Sequence, residues 1–151
     1  MLNNLNQYKK ISGKIHTSAQ PTVEEFVMIK DAGIKIVINL ATADSPSAII
    51  NEKQIVQKNN MTYIHIPVIF EKPELTNINC FFKAMEQHDD KTIFVHCAYN
   101  WRVACFIYLY RIIKLNCDNE TAEKDMLVIW QPNETWTSFI ELCLSKKDTL
   151  K

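Results

Sequence analysis

With 151 residues, 47% of them hydrophobic, the chain is long enough to bury the core of one domain without disulfide or metal staples. Lysine plus arginine and aspartate plus glutamate number 17 each, which leaves no net field to attract nucleic acid. The apolar runs at 34–40 and 103–115 are too short to span a membrane, and MLNNLNQYKK lacks the apolar stretch of a secretory signal, so a cytoplasmic location is expected.

The opening YKKISGKIHTSAQP reads as a hairpin, two short strands about a turn at Ser12-Gly13. Thr22-Val23-Glu24-Glu25 is a capping box after Pro21; Phe26, Ile29 and Ala32 follow at helical spacing, and Gly33 ends a helix over 22–32. IKIVINL, at 34–40, is the continuous apolar run of a strand buried on both faces and is expected centrally in a parallel sheet. A helix near 47–59 follows the loop ATADSPS, and TYIHIPV at 62–68 predicts another buried strand. After a Pro-containing loop at 69–75, Thr76 is the expected N-cap of a helix carrying Ile78, Phe81, Phe82 and Met85. Residues 91–96 form the next strand, and 102–115 is apolar nearly all round, as in a helix buried against the sheet. Helices near 120–130 and 133–146, broken at Pro132, close the sequence. Strands alternating with helices imply an α/β fold, a mainly parallel central sheet with helices on both faces, in a single domain over 1–151. Such sheets bind ligands at the carboxyl ends of their strands, and Cys97 lies at one.

Five cysteines, an odd number without CxxC pairs, suit reduced thiols; Cys80, Cys105, Cys117 and Cys143 read as small buried hydrophobes. Only Gly13 and Gly33 occur, which excludes glycine-spaced nucleotide loops, so no nucleotide cofactor is implied. His16, His65 and His88 share no spacing that suggests a metal site. Trp130 and Trp136 read as packing of the terminal helices, and Phe106, Leu109, Tyr110 and Ile113 as core.

The segment from Val95 to Val103 places a thiol at the end of a buried strand and an arginine at the start of a buried helix. Unpaired amides at a helix N-terminus favour a thiolate and hold an oxyanion in the same cradle, here the backbone of Ala98, Tyr99, Asn100, Trp101 and Arg102. Arg102 adds a planar, permanently charged fork suited to phosphate or sulfate oxygens. His96 is placed to orient the loop through backbone hydrogen bonds. Tyr99 suits a substrate contact at the loop tip; Trp101 suits either stacking on a substrate or covering the loop.

His96-Cys97 followed by Arg102 resembles the His-Cys-x5-Arg signature of cysteine-dependent tyrosine and dual-specificity phosphatases. Over nearly the whole chain, HTSAQPTVEEF with DAGIKIVINL, then YIHIPV, VHCAYNWRVACFIYLYR and IWQPNETW, the sequence is similar to a bacterial phosphatase-like group related to the beta-lactamase hydrolase-like domain. The resemblance implies a three-layer phosphatase-like fold and hydrolysis of a phosphomonoester, such as phosphotyrosine, through a phosphocysteine on Cys97, without metal or cofactor. It also implies a carboxylic acid on a neighbouring loop. Glu71 is the best placed candidate, then Glu74, then Asp44 in the earlier loop. The partner so implied is a phosphorylated protein or small molecule.

Three departures qualify the match. Four residues, not five, separate Cys97 from Arg102, which removes one amide donor; Asn100 stands nearest the usual glycine, and it tolerates a left-handed backbone. Val103 replaces the hydroxyl residue that helps the thiolate leave in such phosphatases. The short loop also resembles that of rhodanese-type sulfurtransferases, which carry a persulfide on the cysteine. Sulfur transfer and a non-catalytic phosphate-binding module therefore stand beside hydrolysis as alternatives.

Overall fold

A computed structural model describes residues 1–150. Five strands, β1 (Lys9–Lys10), β2 (Ile15–Ser18), β3 (Ile36–Asn39), β4 (Thr62–His65) and β5 (Ile93–His96), form one sheet in the order β1-β2-β5-β3-β4. β1 and β2 are the antiparallel hairpin, and every other pairing is parallel. The helices are α1 (Val23–Asp31), α2 (Glu52–Lys58), α3 (Leu75–Gln87), α4 (Trp101–Ile113), α5 (Asn119–Ile129), α6 (Glu134–Ser145) and α7 (Lys147–Leu150), with a 3-10 turn at Leu2–Asn4.

Side chains on successive strand residues point to opposite faces, so a strand buried on both sides must be apolar throughout. β3 shows this. Val37 joins Phe94 of β5 in a core with Phe26 and Ile29 of α1 and Val56 of α2, while Ile36 and Ile38 join Val95 beneath Phe81, Phe106 and Trp136. Helices thus cover both faces in three layers. β5 lies at the middle of the sheet with all four residues buried. Its register sets Ser18, His96 and Asn39 side by side, so the loops leaving β2, β5 and β3 emerge together at one edge.

Several boundaries differ from the sequence expectation. α2 begins only at Glu52, because Pro46 disfavours helical backbone at Ser45 and Ser47 takes a left-handed φ of 65°. β4 is an edge strand with Thr62 and His65 exposed, not one buried on both faces; Ile66 and Val68, beyond its end, carry the burial instead. α3 is capped by Glu74 rather than Thr76: Glu74 is extended, and its N–H donates to Asn77 Oδ1 at 2.9 Å. Pro73 precedes it and has no N–H to continue a helix backwards. Cys80 faces solvent and Cys117 is half-buried, whereas Cys105 and Cys143 sit in the core as expected. Asp118 and Asn133 cap α5 and α6, and the short α7 follows them.

Candidate active site

β5 delivers Cys97 to the floor of the carboxyl edge, and α4 starts four residues later at Trp101. The turn between them depends on Asn100, whose φ of 68° is left-handed, a conformation that asparagine visits more readily than most residues. Its side chain turns away from the site: Nδ2 donates to Gln7 O at 2.8 Å and to Thr17 Oγ1 at 3.1 Å, tying the loop to the N-terminal segment and to β2. Among the described residues, the amides of 98–103 find no acceptor in a turn, loop or cap. Ala98, Tyr99, Trp101 and Arg102 line the cavity at the start of α4, where free amides and the helix dipole attract an anion.

The cavity holds about 600 Å³ and brings Cys97, Ala98, Tyr99, Trp101 and Arg102 together with Asp44 and Ser45 of one loop and Phe70 and Glu71 of another. Arg102 is almost wholly buried. Its Nη1 donates to Val68 O at 2.7 Å, its Nη2 donates to Ser45 Oγ at 3.3 Å, and its guanidinium lies 5.8 Å from the Phe70 ring centre. Held from three sides, the fork has one orientation, and among the described residues it is the cavity's only cationic side chain.

Of the three candidate acids, Glu71 and Asp44 line the cavity and Glu74 does not. Asp44 accepts from Thr42 Oγ1 at 2.7 Å; that bond, its own backbone and Arg102 hold its carboxyl below the usual aspartate range. Asp44 and Glu71 thus reach the cavity from two different loops.

The aromatic wall accounts for Trp101. It stacks on Trp130 at 5.0 Å with the rings 8° apart, and Phe70 lies 6.0 Å away; Tyr99, about two-fifths exposed, sits at the rim 5.1 Å from Trp101. Trp136, fully buried, donates its indole N–H to Phe70 O at 2.8 Å and so braces the loop carrying Glu71. His16 bonds Tyr8 and His65 bonds Ala41 O, so both serve the fold, and His88 ends α3. No cluster of three His, Cys, Asp or Glu among the described residues is placed to hold a metal ion.

Beneath the loop lies a network of which the sequence signals only His96. His96 Nε2 donates to Glu52 Oε2 at 2.7 Å, and Nδ1 to Cys97 O at 3.3 Å. Glu52, 3% exposed, also accepts from Gln20 Nε2 at 2.7 Å, and the Gln20 backbone N–H donates to Ala98 O at 3.1 Å. Burial alone would raise the Glu52 carboxyl, but His96, Gln20 and Tyr63 outweigh it and hold it below the usual glutamate range.

A central parallel strand, a cysteine-to-arginine loop and a buried helix behind it define the class of the cysteine-dependent tyrosine and dual-specificity phosphatases. Within it, residues 3–137 match the family described as "DSP-PTPase phosphatase fused to NAD+ Kinase", and the chain belongs to that family. The fold is similar to that of a DUF442 protein from Shewanella putrefaciens CN-32, with 27% identity and a TM-score of 0.87 over 97% of this chain and 96% of that one. It is also shared with P. aeruginosa TpbA in complex with pTyr, at 13% identity and TM-score 0.75 over 95% and 87% of the two chains. The core catalytic domain of the PP-IP phosphatase SIW14 from S. cerevisiae shares it at 14% identity and TM-score 0.75, over 97% and 94%. No curated protein matches. Among the described residues, no helix is long and apolar enough to cross a membrane.

Proposed function

We propose that this chain, acting as one domain, hydrolyses a phosphomonoester with Cys97 as nucleophile, Arg102 and the amides of 98–102 as the oxyanion cradle, and Glu71 as general acid. The observation that carries the reading is the convergence of Cys97, Arg102 and Glu71 on one cavity with a set of free amides. In the first step the Cys97 thiolate attacks phosphorus, the bond to the leaving oxygen breaks, and Glu71 protonates that oxygen. Water then attacks the phosphocysteine, Glu71 takes its proton, the S–P bond breaks, and phosphate leaves with the thiolate restored. Phosphotyrosine fits the aromatic rim formed by Tyr99 and Trp101, and TpbA has been solved with pTyr bound.

A second reading, sulfur transfer through a Cys97 persulfide, is favoured by the four-residue loop and by the commitment of both Arg102 terminal nitrogens to Val68 and Ser45. One paired assay separates them: phosphate release from an aryl phosphate, and sulfur transfer from thiosulfate to cyanide, each with the native protein and Cys97→Ser. Phosphate release abolished by the substitution supports hydrolysis. Dependence of sulfur transfer alone on Cys97 overturns it, and the absence of both activities with retained phosphate binding favours a non-catalytic module.

A further inference from the structure

Glu52 lies in the first turn of α2, away from the cavity that holds Cys97, yet it is joined to two successive carbonyls of the cysteine loop. One arm runs through His96 to Cys97 O, the other through Gln20 to Ala98 O. A trans peptide points the carbonyl of one residue and the N–H of the next in opposite directions, and no peptide bond among the described residues is cis. Drawing the carbonyls of 97 and 98 toward the Glu52 side therefore turns the amides of Ala98 and Tyr99 the other way, into the cradle.

We infer that Glu52 is a positioning residue that, through His96 and Gln20, aims two of the amides that stabilise an anion at Cys97. The inference rests on the active-site reading above but not on hydrolysis, since those amides stabilise the Cys97 thiolate itself. Other ionisable groups face the two ends of the network. Tyr63 of β4, its phenol pushed well up by burial, and Lys53 and His65 lie about Glu52. Arg102, Asp44 and Glu71 surround Cys97 from the cavity, and Cys105 lies behind it in α4.

The test is alkylation of Cys97 by iodoacetamide, followed by peptide mass spectrometry, in the full chain. Glu52→Gln keeps the size and one acceptor oxygen but removes the charge; losing a charge-assisted hydrogen bond should slow Cys97 modification at neutral pH about tenfold. Its pH–rate profile should move to higher pH, while exposed Cys80 reacts as before. Gln20→Ala, at a half-buried position, severs one arm and should slow Cys97 by about threefold. If Glu52→Gln does not fold, the Gln20 variant carries the test. Native alkylation rates in the folded variants would overturn the inference, whatever the phosphate-release assay shows. Loss of phosphate release with native alkylation would count against it as well, because the network would then act on something other than the loop.

Discussion

Asp44 and Glu71 face the same cavity from different loops, and their surroundings separate them: Asp44 is held ionised by Thr42, its own backbone and Arg102, while no such bond is made to Glu71. Glu71→Gln is therefore expected to lower kcat/KM on alkyl phosphates by about 10²-fold or more, the usual worth of a general acid. Aryl phosphates with good leaving groups should be affected much less, and Asp44→Asn should cost under about tenfold on either. Steady-state kinetics across a leaving-group series checks this. Asn100 poses a second question at this scale, because it both adopts a left-handed backbone and tethers the loop. Asn100→Gly keeps the backbone and loses the tether; Asn100→Ala loses both. Urea unfolding should find a cost of about 1 kcal/mol or more for Gly and about 1 kcal/mol beyond that for Ala.

At the scale of elements, the sequence revealed what lies close together along the chain. Strand β5, the loop and α4 are consecutive, so a buried apolar run ending in Cys97, a short turn with Asn100 and an all-apolar helix could be read directly. Glu52 could not: it meets His96 across 44 positions, and a lone glutamate at a helix start looks like any first-turn carboxylate. Trp136 was legible as packing, but its bond to the Phe70 carbonyl depends on how α6 docks, which local pattern does not encode. β4 was misplaced as a buried strand because its apolar run continues past the sheet into Ile66 and Val68, which bury in the loop rather than in the ladder. The Trp136 brace is testable. Trp136→Phe keeps most of the core volume but drops the hydrogen bond, at a cost of about 1 kcal/mol. If the bond holds the Glu71 loop in place, kcat falls by more than the loss of folded protein accounts for, and comparison of kcat with Tm decides.

Over the whole molecule, the buried Glu52 couples the site to acid stability. Its folded carboxyl holds a proton less tightly than the unfolded one, which titrates near 4.5. The stabilisation is thus fully present above that pH and is lost as acid protonates the folded group at its lower value. Urea midpoints measured from about pH 6 down to pH 3 should fall, and Glu52→Gln should flatten part of that fall. Asp125, held low against its own partial burial by Arg111 and Lys9, would supply some of the remainder. Thiol chemistry follows the same map: burial pushes the Cys143 thiol up to about 12 and raises Cys105 as well, so both should stay unmodified until the protein unfolds.

The clamps on the cysteine loop also have an order in time. Gln7, Thr17, Gln20 and Glu52 all precede residue 97, and all five strands are complete by His96. As the chain leaves the ribosome, the sheet and the anchors of the loop are therefore made before the loop itself. Among the elements still to follow are α5 and α6, which cover the apolar helix α4 and carry the Trp136 brace. A nascent chain that had emerged only as far as Ile113 would present its nucleophile on a finished sheet, while the outer face of α4 still lay open to other sticky surfaces in the cell.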